Sequence, residues 1–482
     1  MQLYRIGMHS GPVTGGVLRG QNARFQLFGD TVNCASRMES TGLKDRIQMS
    51  KPTAELLIAA GKGKWIVKRE GKVDVKGKGF QETYFFKTTF GTVSSTSGAT
   101  STSGASVDDD TMAMQKSKTI IPLLKNHQKQ VFTNKNQRLV SWNAEVLARR
   151  LTLIVQDRNR ILGVAVKQKQ VGLSPAVTDQ LHKYVHEISS MYRDNPFHNY
   201  EHASHVTLSM EKMLSRVLEE EGSTSDDRYQ NDITSDRLAQ FAVVFSALIH
   251  DVDHTGVSNG QLVKENDKVA LMYHDKSPAE NHSISLAWKT LMDPKYEELV
   301  TCICPTKVEK LRMKTLVTKA VLATDLFDKD LTKNRNERWE RVFGAKAKLD
   351  ISSEMGFEGE NSIKAMIVFE HLIQASDVAH TMQHWHVYIK WNERLFHEMF
   401  EAYKNGRLGK NPLDFWYQGE IGFFDHYVIP LAKKLKECDV FGVSCDEFLN
   451  YAEANRGEWE IKGKEIVEGF AARYQDNTDK LK

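Results

Sequence analysis

The chain has 482 residues, which favours two or three domains, and its net charge of +3 arises from 65 basic and 62 acidic side chains interspersed along it. This balance, without basic residues interleaved with aromatic ones, excludes a nucleic-acid-binding surface. Five cysteines without paired CxxC motifs fit a reducing compartment, and no stretch of about 18 apolar residues is present to span a membrane.

Residues 1–90 carry strand-like patterns. Residues 5–9 and 83–86 are typical of strands, and glycines between them mark turns. Residues 91–111 are rich in Ser, Thr and Gly, a composition that cannot bury a core. We therefore predict a small α/β segment at 1–90, a linker at 91–115 and a main domain at 116–470.

The main domain shows helical periodicity almost to its end. Residues 175–192 carry an apolar stripe, and residues 362–373 and 387–400 behave likewise. The members of the first stripe are Val177, Leu181, Tyr184, Val185, Ile188 and Met191. The main domain is therefore predicted to be nearly all α, and the chain as a whole mainly α.

Five residues within this helical region indicate chemistry: His198, His202, His250, Asp251 and Asp377. Imidazole and carboxylate are ligand types for Zn²⁺ and Mg²⁺. The first two histidines are i and i+4, so a helix would present both on one face. Asp251 has two oxygens and can bridge a second metal, while Asp377 is expected to come from a distant helix.

The setting of His250 supports a metal site. An apolar run at 245–249 ends abruptly in His-Asp-Val-Asp-His, and buried charges are costly unless they are paired or bound to metal. A metal pair lowers the pKa of a bridging water from 15.7 to roughly 7, which suits hydrolysis at neutral pH. More than one superfamily of metal hydrolases uses histidine and aspartate ligands of this kind, and one of them acts on varied phosphoesters. The ligands alone therefore do not identify the family.

The wider context resembles the class I 3′,5′-cyclic nucleotide phosphodiesterases over about residues 130–465. The matching blocks are 196–199, 254–259, 270–282, 323–326 and 421–425, the last followed by Pro430. The resemblance implies an all-helical catalytic domain that hydrolyses cGMP, cAMP or both to 5′-nucleoside monophosphates.

The resemblance also implies roles for individual residues. The first metal would be held by His202, His250, Asp251 and Asp377, with Asp251 bridging to the second; the implied metals are Zn²⁺ in the first site and Mg²⁺ or Mn²⁺ in the second. His198 would be the general acid that protonates the leaving O3′, and Glu398 would orient it. Glu280 and His254 would support the metal waters. Phe423 would stack on the purine, or it is a plain core residue.

Four positions depart from the family pattern. Glu420 stands where the family has its purine-selecting glutamine, and His380 where it often has an asparagine near the base. Lys329 and Ser283 each replace a histidine. No metal ligand is lost, so the departures affect base selectivity, and we expect cGMP to be preferred because an ionised carboxylate only accepts hydrogen bonds. The alternative is a Glu420 that is protonated in an apolar pocket, which would mimic the amide and give a dual-specificity enzyme.

Residues 5–13, 27–40 and 75–79 resemble the C-terminal half of a class III nucleotide cyclase domain, of ferredoxin-like fold. The resemblance implies that Asn33 and Arg37 orient the ribose and stabilise the transition state, and that Lys76 holds the triphosphate. Gln26 falls at a base-selecting position and fits neither adenylate nor guanylate cyclases. The family's two metal-binding aspartates precede the first matching strand, so we expect an incomplete domain within a longer fusion; a degenerate docking module is the alternative.

Two rival functions remain at this stage. One is a bifunctional cyclase–phosphodiesterase whose lyase half is completed by upstream sequence or by a partner. The other is a non-catalytic nucleotide sensor, which would have no need of His198. The expected partner is a cyclic nucleotide, without nucleic acid or membrane contact, and a dimer or a partner cyclase half stays open. The expected location is cytoplasmic, either free or as the cytoplasmic portion of a membrane-anchored protein.

Overall fold

The computed structural model of the chain describes most of both predicted domains. The described residues are 5–12, 14–18, 24–28, 30–43, 46–75, 79–87, 135–161, 172–219, 233–344, 360–438, 441 and 446–479. The chain divides into two compact units, Met1–Val131 and Phe132–Lys482. The predicted linker at 91–115 and Lys76 lie outside the described residues.

The first unit is a small α/β structure. Its elements in chain order are β1 (Arg5–Met8), β2 (Thr14–Leu18), β3 (Arg24–Phe28), α1 (Asp30–Ser40), β4 (Arg46–Ser50), α2 (Lys51–Ala59), β5 (Ile66–Lys68), β6 (Val73–Val75), β7 (Gly79–Gln81) and β8 (Thr83–Phe86). Four strands form a sheet in the order β1-β4-β8-β5, in which only the β1–β4 pairing is parallel. The pairs β2–β3 and β6–β7 form two antiparallel hairpins.

Helix α1 lies directly against β1 because Gly7 has no side chain. A Cβ atom at Gly7 would overlap the backbone of Ala35 and Glu39 and would come within 2.7 Å of the Met38 carbonyl carbon. Only glycine allows the two elements this close. A small core around Met49, Ala54 and Ile66 lies elsewhere in the same unit.

The second unit consists, in its described residues, of helices and the loops that connect them. Its helices are α3 (Lys135–Ile161), α4 (Pro175–Met191), α5 (Tyr200–Glu219), α6 (Arg237–Ile249), α7 (Asn259–Lys264), α8 (Lys268–Met272), α9 (Pro278–Leu291), α10 (Glu297–Ile303), α11 (Lys307–Leu322), α12 (Lys329–Phe343), α13 (Glu360–Asp377), α14 (Trp385–Lys404), α15 (Trp416–Phe423), α16 (Ile429–Glu437) and α17 (Glu447–Asp479). A π-helical turn, Phe424–Val428, joins α15 to α16.

Helix α6 forms the centre of this unit. Every residue from Leu238 to Ile249 is buried, and the Asp236 carboxylate caps the helix by accepting from the Ala239 amide. A helix that is apolar on all sides can lie only inside a core. Helix α6 ends immediately before His250, so this polar residue of the site lies at the buried end of the helix.

The mainly α fold with a small N-terminal α/β segment is confirmed. The predicted helix at 175–192 is α4, and four of its stripe residues, Leu181, Tyr184, Val185 and Ile188, are almost completely buried. None of the described helices combines the length and the hydropathy that a membrane span requires.

Candidate metal centre and catalytic site

Four predicted metal ligands meet where three helices converge. His202 lies in the first turn of α5, His250 and Asp251 follow the end of α6, and Asp377 is the last residue of α13. Asp377 Oδ1 lies 3.0 Å from His202 Nε2 and 3.2 Å from His250 Nε2. Asp251 Oδ2 lies 3.1 Å from His250 Nε2 and 3.7 Å from His202 Nε2.

These separations suit ligands of one divalent cation. Two ligand atoms about 2.1 Å from a metal and at right angles to each other are about 3.0 Å apart. His250 Nδ1 lies 3.0 Å from the Ala247 carbonyl oxygen, which can only accept, so Nδ1 carries a hydrogen and Nε2 is the ring nitrogen directed at the carboxylates. A ring nitrogen and carboxylate oxygens that meet at these distances are held together by a proton on Nε2 or by a metal ion in its place. The donor set therefore fits a divalent metal.

Electrostatics in the cluster also favour a cation. Burial lowers the pKa of His250, but the Asp251 and Asp377 carboxylates outweigh burial and raise it well above its ordinary value. Burial lowers the pKa of His202 and outweighs the opposite effect of the hydrogen bond that the Asp377 carboxylate can accept from it. Despite burial, His250 holds the pKa of both carboxyls below the usual range, so both are ionised at neutral pH.

His198 lies outside the helix, and the prediction that it shares a helix face with His202 is wrong. The Asn199 side chain accepts hydrogen bonds from the amides of Glu201 (2.9 Å) and His202 (3.1 Å), which makes Asn199 the N-cap and starts α5 at Tyr200. The His198 ring nevertheless lies beside the cluster, with its centre 6.0 Å from that of His202.

Glu398, on α14, holds His198 in place at three points. Its Oε1 bonds His198 Nδ1 directly, and its Oε2 accepts from the backbone amides of Phe197 and His198, both at 2.9 Å. Burial opposes the charge on His198, but Glu398 raises the pKa of His198 to about 9, and the pKa of Glu398 falls to about 2. The imidazole is therefore charged at neutral pH, with its Nε2–H directed away from Glu398.

His254 stacks beside this pair. Its ring centre lies 3.9 Å from that of His198, and burial together with the charge on His198 lowers the pKa of His254 to about 4. Asn195 ties the two histidines together by donating to the carbonyls of His198 (3.0 Å) and His254 (2.8 Å). Sequence analysis missed Asn195, although it precedes the Pro-Phe-His-Asn block by one residue.

Glu280 lies in a second polar cluster. The Asn259 amide donates to Glu280 Oε2 at 2.8 Å and to Asp325 Oδ2 at 3.1 Å. Burial and the charge of Asp325 raise the pKa of Glu280 to about 7. Asn259 and Asp325 fall within the matching blocks 254–259 and 323–326, but sequence analysis predicted a role for neither.

Glu420 is buried on α15, and its orientation is fixed by other side chains. The Tyr388 hydroxyl donates to Glu420 Oε2 at 2.8 Å. Behind it, the Asn392 amide approaches the Tyr388 oxygen at 3.4 Å, and the Trp416 indole donates to Asn392 Oδ1 at 3.1 Å. Burial raises the pKa of Glu420 to about 7, although Tyr388 and Asn392 act in the opposite direction.

The two other predicted base contacts lie in different surroundings. Phe423 is half-buried and stacks on Tyr427, with ring centres 5.4 Å apart. His380 is buried between the rings of Phe197, at 5.7 Å, and Trp391, at 6.1 Å. Burial lowers the pKa of His380 well below its ordinary value, so this ring is neutral.

The two substituted histidine positions also differ from each other. The buried Ser283 hydroxyl hydrogen-bonds the carbonyls of Val252, at 2.8 Å, and Ala279, at 3.0 Å. It therefore supports the backbone immediately after Asp251. Lys329 is the exposed first residue of α12.

In the first unit, Asn33 and Arg37 lie one turn apart on α1, as predicted, with Asn33 exposed and Arg37 half-buried. Gln26 lies in β3 opposite Gly16, and its side chain is outside the described set.

Comparisons with known proteins agree with this geometry. Residues 197–442, just over half of the chain, match the 3′5′-cyclic nucleotide phosphodiesterase family. Residues 2–88 match the adenylate and guanylate cyclase catalytic domain and form part of such a domain.

Among individual relatives, a probable 3′,5′-cyclic-AMP phosphodiesterase (pde-4) of Caenorhabditis elegans is 27% identical over 57% of this chain and 39% of its own length. A dual specificity calcium/calmodulin-dependent 3′,5′-cyclic nucleotide phosphodiesterase 1B of Bos taurus is 29% identical over 50% of this chain and 41% of its own. The chain thus spans about two fifths of these relatives.

A solved structure shows the same fold. The phosphodiesterase domain of a RhoPDE fusion protein from the choanoflagellate Salpingoeca rosetta superimposes with a TM-score of 0.53 at 20% identity. The match covers 71% of this chain and 94% of that one.

Proposed function

Because the chain belongs to the 3′5′-cyclic nucleotide phosphodiesterase family, we propose that it hydrolyses 3′,5′-cyclic nucleotides to 5′-nucleoside monophosphates with the help of bound divalent metals. The observation that carries the proposal is the convergence of His202, His250, Asp251 and Asp377 next to a charged His198. The family is metal-dependent, and the donor set fits a metal.

The four convergent residues would hold the first cation, and Asp251 would share a second. Nitrogen and carboxylate ligands at these spacings suit Zn²⁺ in the first site, whereas a neighbouring position with fewer protein ligands suits Mg²⁺ or Mn²⁺. Bound there, the metals supply Lewis-acid chemistry and a water of lowered pKa.

The chain's own contribution to bond cleavage is a proton. As water attacks phosphorus, the P–O3′ bond breaks and the leaving oxygen must be protonated. His198 Nε2–H is available for this because Glu398 occupies Nδ1 and keeps the imidazole charged. Glu398 also fixes the backbone on which His198 is carried, through two amide hydrogen bonds.

Glu280 and His254 have different roles from His198. Glu280, with a pKa of about 7, can take up and release a proton near neutral pH. His254 is neutral and in ring contact with His198, so it limits how far the His198 ring can turn.

For the base, we propose a site between Glu420 and Phe423, which lie three residues apart on α15 and so on the same side of it. The curated relatives include a dual-specificity enzyme and a probable cAMP enzyme, so relatedness does not decide the purine. In this proposal the purine is selected by Glu420, which a hydrogen bond from the Tyr388 hydroxyl holds in position.

The test is a variant that separates the acid from the metal ligands. Purified His198→Ala protein should keep its metal content, measured by atomic absorption, yet lose most of its turnover. Loss of metal together with activity would make His198 a ligand and overturn its assignment as the acid.

A further inference from the structure

The turn that follows α6 contains a residue in a conformation that suits glycine better. The His254 amide donates to the Asp251 carbonyl at 3.0 Å and closes the turn, and Asp253, the third residue of the turn, has a φ of 63°. A left-handed residue at this place is usually glycine or asparagine, because a Cβ atom makes the conformation costly. The turn joins a predicted metal ligand, Asp251, to His254, so its shape sets the direction of both side chains.

The Asp253 carboxylate has a partner on each of its oxygens. Arg193 Nε donates to Oδ1 at 2.7 Å, and His282 Nε2 lies 2.9 Å from Oδ2, so an ionised carboxylate accepts from both. Arg193 comes from the segment after α4 and His282 from α9, so the carboxylate joins the turn to two separate elements. The backbone alone would favour glycine here, and the carboxylate bridge is what an aspartate adds.

The same two elements also hold the backbone on either side of the turn. In the segment after α4, the Tyr192 hydroxyl donates to the Leu248 carbonyl, in the last turn of α6, at 2.7 Å. On α9, the Ser283 hydroxyl hydrogen-bonds the Val252 carbonyl at 2.8 Å. Both elements therefore already lie against the turn, and the carboxylate bridge adds a second connection to each of them.

We propose that Asp253 is a positioning residue for the second metal of the site. Its bridged carboxylate fixes the turn that directs Asp251, the residue that would share the second cation; this inference rests on the proposed function. The side chains of Arg193 and Asp253 are 48% and 31% exposed, and exposed ion pairs add little to global stability. We therefore expect the bridge to affect metal affinity rather than the unfolding of the domain.

The test compares Asp253→Asn with Asp253→Gly in the full chain. If only the backbone of the turn mattered, both variants would equal or exceed the parent, because glycine and asparagine suit the left-handed conformation better. If the carboxylate bridge matters, the order is reversed. Asparagine keeps one acceptor oxygen and comes second, whereas glycine has no side chain and comes last. The conservative variant thus separates a positioning role from a turn-forming role.

The quantity measured is the affinity for Mn²⁺ of protein loaded with one equivalent of Zn²⁺, followed by the electron paramagnetic resonance signal of free Mn²⁺. Removing a group that orients a metal ligand typically weakens metal binding roughly ten- to hundredfold. We expect a loss of this size in Asp253→Gly and a smaller loss in Asp253→Asn. The Zn²⁺ content and the melting temperature should stay close to those of the parent, because His202, His250 and Asp377 are unchanged.

A matched control separates this bridge from any partly exposed ion pair. Arg193→Gln removes one partner of Asp253. Lys295→Gln removes the cation of the Lys295–Glu187 pair, which is 2.8 Å long, has side chains 49% and 33% exposed and lies beyond the end of α9. Arg193→Gln should weaken Mn²⁺ binding in the parent and have no further effect in Asp253→Gly, whereas Lys295→Gln should have no effect in either.

A Mn²⁺ affinity of Asp253→Gly equal to or above that of the parent would overturn the inference, as would equal effects of Arg193→Gln and Lys295→Gln. If Asp253→Gly is too unstable to purify, the second comparison still decides. A parent protein that neither hydrolyses cyclic nucleotide nor binds Mn²⁺ would overturn the proposed function itself, and this inference with it. That outcome is visible before any variant is made, so the two failures are distinguishable.

Discussion

The base preference should change with pH because it depends on one carboxyl group. The Tyr388 hydroxyl donates to Glu420 Oε2, so the proton of a neutral Glu420 must lie on Oε1. Neutral Glu420 therefore offers one donor and one acceptor, like the amide of glutamine, whereas ionised Glu420 only accepts. Burial raises the pKa of Glu420 to about 7, so both forms occur near neutrality.

The size of the effect follows from the hydrogen bonds that each purine offers. Guanine presents two adjacent donors, N1–H and N2–H₂, which a carboxylate can accept together. Adenine presents one donor beside ring acceptors, so an ionised Glu420 faces a lone pair. An unsatisfied buried acceptor costs about 1–3 kcal/mol, roughly a ten- to hundredfold change in relative rate. The preference for cGMP over cAMP should thus rise roughly tenfold from about pH 6 to about pH 8.

The assay is the ratio of kcat/KM for the two nucleotides across this range. Titration of His198 and of the metal water affects both substrates alike and cancels in the ratio. Glu420→Gln should give a ratio that does not vary with pH. In Tyr388→Phe, the loss of a donor to the carboxylate raises the pKa of Glu420 further, so the rise should move to higher pH. A flat ratio in the parent protein, or a rise that persists in Glu420→Gln, would refute the reasoning.

Three further predictions concern the metal, the acid and the N-terminal unit. Asp377→Ala should abolish turnover and lower the bound metal measured by atomic absorption, because two histidines lose their shared carboxylate; full turnover with normal metal content would contradict this. Glu398→Gln should reduce kcat on the order of 10²–10⁴-fold at neutral pH. It should also shift the alkaline limb of the kcat–pH profile to lower pH, because burial lowers the pKa of His198 once the anion is gone. An alkaline limb that does not shift would belong to the titration of another group. Gly7→Ala should destabilise the first unit, which would be seen as faster hydrogen exchange in residues 5–87. The control Gly63→Ala should not, because its new Cβ would meet only a side chain at 3.6 Å. Equal exchange in both variants would mean that β1 and α1 are not closely packed.

The helical fold was predictable because its signals are local. The stripe at 175–192 forms α4, and the apolar run before His250 forms the buried end of α6. Both were predictable because the spacing of apolar residues indicates whether a helix is buried on one face or on all faces. The strands at both ends of the first unit were predicted from the same kind of pattern. Nothing in the local pattern gives the sheet order, because β1, β4 and β8 are brought together over long stretches of chain.

The error at His198 has a definite physical cause. The i and i+4 spacing assumed a continuous helix, but Asn199 accepts two amide hydrogen bonds and starts α5 after His198. Asparagine is a common N-cap, so this signal was present in the sequence. The bracing of Glu420 by Tyr388 had no such signal, because the two residues meet only after α14 and α15 have packed together.

The most direct test of the account is cyclic nucleotide hydrolysis by the purified full chain before and after metal removal. Product should be followed as 5′-nucleoside monophosphate, with cAMP and cGMP each assayed in Mg²⁺ or Mn²⁺. We expect hydrolysis that disappears when a chelator strips the protein and returns when Zn²⁺ and Mg²⁺ are restored. Hydrolysis that survives complete metal removal, or its absence in every metal tested, would contradict the central claim.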